Sequence, residues 1–345
     1  MCDLQAFTKQ DWADLIRSLN AEAIPDLTMP LFSEARHTRD AAYGRRVFLR
    51  GLIEFTSHCV MDCLYCGLRR SNRDAARYRL DAETILACVD EGAALGFKSF
   101  VLQGGEDVYF TDKKLCGLVE AIKAKHPDCA VTLSAGERSA ESYRRLKAAG
   151  ADRYLLRHET ADEAHFARLH PAAQTLENRK KSLYALRDAG FHVGAGFMVG
   201  SPWQTAETLA ADMLFLRELQ PQMVGIGPFL PQAQTPLARE RAGSAAMTLH
   251  LLALVRLLLP DALMPATTAL ASVHPDGRIW GLEAGANVVM PNISPADTRA
   301  AYRIYDNKKA SGAEAAEGLA QLKAELAFHG YEVSLTRGDW RGLSF

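Results

Sequence analysis

Three cysteines, Cys59, Cys63 and Cys66, stand in the run TSHCVMDCLYCGLRR, separated by three residues and then by two. Each iron of a cubane iron–sulfur cluster takes one outside ligand, so four thiolates would close the cluster and three leave one iron open. An open metal position is where chemistry can occur. The triad therefore points to a catalytic iron–sulfur site at the front of the chain. A zinc site is the competing chemistry, with His58 offered as a fourth ligand, but zinc knuckles pair two CxxC-type units and only one is present. A disulfide framework fits poorly, because seven cysteines in 345 residues are sparse and odd in number. The remaining cysteines, Cys2, Cys88, Cys116 and Cys129, are scattered. The last three lie in helical or apolar patterns and read as buried structural thiols.

Other polar groups gather at particular points of the pattern that must position this triad. Residues 1–45 have helical spacing, broken by Pro25 and Pro30. Beyond them, short apolar runs of strand character fall at 50–56, 98–103, 130–134, 153–158, 192–199, 223–229, 262–267 and 286–291. Helical patterns lie between most of these, at 81–95, 112–125, 139–149, 177–189, 207–219 and 245–259, and Gly96, Gly150 and Gly190 supply helix stops. Strands alternating with helices predict an α/β fold, a parallel (β/α)8 TIM-type barrel rather than an open sheet. We expect one domain, 1–345, with an N-terminal helical cap over 1–47, the barrel over 48–305 and a short C-terminal extension over 306–345.

This layout puts the cysteines directly after the first strand, and loops after barrel strands form the catalytic face. The same face would receive 104–107, 134–137, 158–160, 201–204, Thr267 with Thr268, and Asn292. Strand side chains alternate, so one of Arg157 and His158 should face the cavity and the other the barrel wall.

Composition is that of an ordinary globular protein, 48% apolar and 23% charged, with a net charge of −1. No run of one sign suggests a nucleic-acid or membrane surface. The N-terminus is not a signal peptide, and the apolar stretch over 247–260 is too short for a membrane span and carries His250 and Arg256. A reducing, cytoplasmic location and a monomer are expected.

The Cys-x3-Cys-x2-Cys run, with Tyr65 before its last cysteine, resembles the radical S-adenosylmethionine (SAM) superfamily. The resemblance implies one 4Fe–4S cluster whose open iron binds the methionyl amine and carboxylate of SAM, and reductive cleavage to a 5′-deoxyadenosyl radical. Gln103, Gly104, Gly105, Glu106 and Asp107 resemble the superfamily's GGE motif, which binds the methionyl ammonium; alone, the segment would be a turn. Glu159 in RYLLRHET could hold SAM ribose hydroxyls or ammonium. Arg179 could offer its fork of donors to the SAM carboxylate, or be a solvated helix charge. The run MVGIGPF, with Met223 and Ile226, could bear the adenine, and structural packing explains it almost equally well.

Together, GLIEFTSHCVMDCLYCGLRRSN, FVLQGGEDVYFTD, VTLSAGE, ADRYLLRHETA, GAGFMVGSPWQT, MVGIGPFLP, PATTAL and GANVVMPN resemble the HydE family of FeFe-hydrogenase maturases over roughly 48–307. That resemblance implies a small organometallic iron–cysteine substrate carrying CO and cyanide, an electron donor, and the partner maturases HydG and HydF. It implies Cys59, Cys63 and Cys66 as cluster ligands. Gln103, Ser134, Glu159 and Arg179 would touch SAM, and Thr132, Arg157, Thr267, Thr268 and Tyr302 would line the substrate chamber. Buried hydroxyls at strand ends could equally be satisfied by backbone. Many family members carry a second cysteine triad near the C-terminus. The aligned positions here are Ala310, Gly318 and Gln321, and no cysteine follows Cys129, so no second cluster is expected. Methylornithine synthase and biotin synthase are the neighbouring enzymatic alternatives, and a non-catalytic cluster scaffold is the non-enzymatic one.

Overall fold

The computed structural model describes residues 3–308 and 318–342. Among the described residues eleven strands are formed: β1 Arg46–Leu49, β2 Gly51–Thr56, β3 Ser99–Gly104, β4 Ala130–Ser134, β5 Arg153–Leu155, β6 His192–Ala195, β7 Met198–Val199, β8 Met223–Val224, β9 Gly227–Pro228, β10 Val288–Val289 and β11 Glu332–Ser334. Six of them make one parallel sheet in the order β2-β3-β4-β5-β6-β8. Single parallel bridges continue it from Met223 to Leu263, from Pro265 to Val288 and from Asn292 back to Leu52. The ring closes as the parallel barrel that the alternating pattern predicts, with the run 262–267 reduced to bridges.

The helices start where short polar side chains can cap them. Asp81, Thr111, Ser139, Thr175, Thr205 and Ser244 each accept a backbone N–H of the first helical turn. Gly96, Gly150 and Gly190 follow three of these helices with positive φ, as the stop signals predict. β2 is buried along its whole length, which is why it reads as a continuous apolar run. The helix Ala245–Leu258 is apolar nearly all round because it is buried nearly all round. Helices Lys9–Ser18 and Pro30–Tyr43 form before the barrel, as the N-terminal spacing predicts.

Three features depart from the pattern. The first strand begins earlier than residue 50, with β1 pairing in parallel to both β10 and the late strand β11. The run 192–199 breaks at Gly196, whose φ of 148° separates β6 from β7. The run 262–267 pairs only through isolated bridges. The stretch after the barrel is also more than a tail: helix Leu319–Phe328 leads into β11. Of the positions aligned with a second triad, Gly318 precedes that helix and Gln321 is exposed on it, whereas Ala310 lies outside the described residues.

Candidate active site

The parallel register sets polar residues on common levels of the barrel wall. Glu54 pairs with Gln103 and Gln103 with Ser134, so one rung carries three polar side chains at the C-terminal ends of β2, β3 and β4. Above this rung lies a cavity of about 310 Å³. Cys59, Cys63, Tyr65 and Cys66 line it from the loop after β2. Gln103, Gly104, Gly105 and Glu106 line it from the end of β3, and Ser134 from the end of β4. Arg157, Glu159, Gln174, Arg179, Thr267, Tyr302 and Tyr305 add further polar lining.

The backbone of this wall leaves no room for larger residues. A Cβ on Gly105 would lie 2.3 Å from the His58 carbonyl oxygen and 2.7 Å from the Cys59 Cβ. The cysteine loop therefore rests directly on the GGE turn. The Val60 N–H bonds the Glu106 carbonyl at 2.9 Å and fastens the two together.

Electrostatics show what the cavity lacks. Burial pushes the Cys59 thiol up, burial and the neighbouring thiols push Cys63 up, and burial takes Cys66 up to about 12. Thiolates here need a positive partner, which an iron cluster supplies. Burial also takes the Glu106 carboxyl up to about 7, outweighing the lowering pull of Arg179 and Arg138.

Glu159 adopts φ of 65°, a left-handed conformation uncommon outside glycine that carries strain worth about 1–3 kcal/mol. Its N–H bonds Gly196 O and its carbonyl accepts from Met198, so Gly196 and β7 hold the kink in place. Its Oε2 lies 3.1 Å from Arg157 Nη2, yet both atoms lack a hydrogen-bond partner and both are buried. Thr267 Oγ1 is similarly buried and unpartnered. Buried polar atoms without a hydrogen bond around one cavity are costly unless a ligand satisfies them.

Arg179 is buried, not a solvated helix charge. It enters from the first turn of helix Leu176–Asp188 and donates from Nε to Glu137 Oε1 at 2.6 Å and from Nη1 to Arg157 O. Tyr302 comes from the far end of the barrel, and its hydroxyl bonds the Gln103 side chain. Arg157 faces the cavity while His158 is fully buried in the wall, 3.3 Å from Asp212, which resolves the alternation in one direction.

Four expected residues do not line the cavity. Ile226 is wholly buried in the main core. Met223 sits lower, with its sulfur 3.1 Å from Arg50 Nη1. Thr132 lies in the same lower layer, beside a void of about 30 Å³ that it shares with Arg50 and Met223. Thr268 opens the helix Thr268–Val273 instead of pointing with Thr267. The cause of the first two is strand pitch: MVGIGPF puts Gly227, Pro228 and Phe229 at the cavity level. Residues not anticipated are Glu137, which holds Arg179, and Gln174, which accepts from Cys63 at 3.5 Å. His170, which bonds the Tyr65 hydroxyl at 3.1 Å, also went unanticipated. Only Glu137 carried a signal, its place after the third strand.

A barrel with three thiols, a GGE turn and a strained carboxylate at one mouth defines the class of radical SAM enzymes, and a family model of the radical SAM superfamily matches residues 53–216. The chain is 46% identical over 278 residues to the [FeFe] hydrogenase maturase subunit HydE of Thermotoga maritima, covering 81% of this chain and 79% of the relative. It belongs to the HydE family of radical SAM maturases. The 3-methylornithine synthase of Methanosarcina acetivorans is 29% identical over 288 residues, 83% of this chain and 80% of that one. Among solved structures, methylornithine synthase (PylB) superposes with a TM-score of 0.81 at 26% identity, covering 96% of each chain. The maturase HydG shares the fold, with a TM-score of 0.75 at 18% identity over 96% of this chain and 78% of the other. Membership of the family implies a 4Fe–4S cluster and SAM. Among the described residues no helix is long and apolar enough to cross a membrane.

Proposed function

We propose that this protein reductively cleaves SAM and uses the resulting radical on a small organometallic iron–cysteine species bearing CO and cyanide, during assembly of the FeFe-hydrogenase H-cluster. The reading rests on one observation: three half-buried thiols and the side chains of Gln103, Ser134, Glu159 and Arg179 line one cavity. When bound, the cluster delivers an electron and SAM supplies the 5′-deoxyadenosyl radical.

Cys59, Cys63 and Cys66 would hold the single cluster. The Glu106 carboxylate and the open backbone of Gly104 and Gly105 would receive the methionyl ammonium, and Arg179, oriented by Glu137, its carboxylate. Glu159 would hold the ribose hydroxyls, with Tyr65 packed beside the last thiol. Arg157, Thr267 and Tyr302 would face the substrate, with its cyanide and carboxylate groups, and Thr132 would bound the chamber from below. Tyr302 and its neighbours Ile304 and Tyr305 help exclude water from that space. HydG as source, HydF as recipient and a separate electron donor complete the proposal, with the protein acting as a monomer in a reducing compartment.

The test is anaerobic reconstitution followed by reduction in the presence of SAM. The protein should bind about four irons per chain and release 5′-deoxyadenosine or an adenosylated product, and Cys63→Ser should do neither. Wild-type cleavage by Cys63→Ser would sink the cluster assignment. Offering the iron–cysteine complex and lysine in parallel separates the maturase from an enzyme of the methylornithine synthase kind; turnover of lysine alone would overturn the substrate proposal.

A further inference from the structure

The loop that carries Cys59 has an outer side as well as an inner one. Outside it lies a groove of about 190 Å³ lined by Cys59, Val60, Arg70, Arg77, Arg79 and Val108 among others. Cys59 and Glu106 line both this groove and the inner cavity, so the wall between solvent and the thiols is the Cys59 loop and its GGE support. The groove's rim is apolar and exposed: Val60 is 39%, Val108 74% and Tyr109 45% accessible.

Cations surround that rim. Arg79 and Lys114 both lie over the Tyr109 ring, at 4.9 and 3.0 Å from its centroid. Arg70 is exposed at the groove edge. Arg77 donates to the carbonyls of Ser57, Leu68, Arg69 and Asn72, neutral acceptors that leave its charge uncompensated. Of the two acids at the groove, Asp107 is engaged by Arg79 at 2.7 and 2.9 Å, and Glu106 also faces the inner cavity. An apolar centre with a surplus of positive charge around it is the anatomy of a recognition surface that steers an oppositely charged partner.

We infer that this groove is the docking face for a small acidic protein that carries one low-potential electron. The inference rests on the cluster assignment proposed above. The carrier's redox centre loses one electron and the cluster gains it across the Cys59 loop; no bond is made or broken and no proton moves. An acidic carrier seated here would approach the thiols from outside, leaving the inner mouth free for SAM and substrate.

Two reductants separate the possibilities: a reduced acidic flavodoxin or ferredoxin, and photoreduced 5-deazariboflavin, which is small and uncharged. In the R70E/K114E protein, and independently in Val108→Glu, SAM cleavage driven by the carrier should fall at least about fivefold while the deazaflavin-driven rate and the iron content hold. Carrier-driven cleavage by the wild type should slow with added salt, and deazaflavin-driven cleavage should not. An unchanged ratio of the two rates in both variants, or a salt-insensitive carrier rate, would overturn the docking face. Failure of the wild type to cleave SAM with deazaflavin would instead overturn the cluster assignment.

Discussion

Buried Arg179 and half-buried Glu137 form an ion pair, Nε to Oε1 at 2.6 Å, in the wall of the thiol-lined cavity. Burial opposes the arginine's charge, and Glu137 more than offsets it, so the pair is a fixed fork with one carboxylate already taken. If orientation is the task of Glu137, Glu137→Gln should hold the SAM Kd within about threefold. Glu137→Ala should raise it about tenfold and cost roughly 3 kcal/mol of stability, by leaving Arg179 buried without its partner. Calorimetric titration of SAM into reconstituted protein, with urea unfolding of each variant, checks both parts.

Gly105→Ala should separate cluster binding from folding. The added methyl meets a backbone carbonyl and the Cys59 Cβ, so the cysteine loop must move away from the GGE turn. We expect near-normal circular dichroism together with loss of most of the bound iron and of its visible absorption.

Lys308 makes an ion pair with Glu54, and Asn292 bonds the other oxygen of that carboxylate at 2.8 Å. Glu54 is fully buried at the level of Gln103. Lys308→Met should therefore cost about 3–5 kcal/mol, whereas Glu54→Gln with Lys308→Met should cost clearly less, because no charge is left stranded. A double-mutant cycle by urea unfolding measures the coupling.

Acid should weaken the apoprotein through its buried histidines. Burial and the nearby Arg179 lower His170 from 6.5 to about 3, and burial lowers His158 and His165 as well. Their folded pKa values are depressed, so the stability they contribute is full above about pH 6.5 and is lost as pH falls below it. For His170 alone, going from pH 7.5 to 5.5 should cost about 1.4 kcal/mol. His170→Gln should flatten the pH dependence of the unfolding midpoint by about that much; an unaltered slope would count against it.

Much of the barrel was legible because its strands are buried on both faces and its helices carry clear caps and glycine stops. The helix Asp112–Lys125 has the bounds that its spacing predicts. Short elements were not legible. Helices such as Glu163–Leu169 and Gly277–Glu283 have too few turns to show a period. β1 and β11 escaped because their pairing is between opposite ends of the chain, which no local pattern reports. At the site, the thiols and the GGE turn are contiguous motifs. Glu137, Gln174 and His170 act by reaching across from other loops, and such partners are visible only in three dimensions. Ile226 was misplaced because a run of small and apolar residues does not state which of them faces inward.

The pairing of β1 with β10 and β11 also sets an order of events during synthesis. The first barrel strand leaves the ribosome early but cannot gain its neighbours until Val288–Val289 and then Glu332–Ser334 have been made. At translation speeds this is a wait of roughly tens of seconds. Throughout it, Cys59, Cys63 and Cys66 are on a nascent chain whose later walls, with Thr267, Tyr302 and Lys308, do not yet exist. The thiols are thus made well before the walls that close the barrel around them.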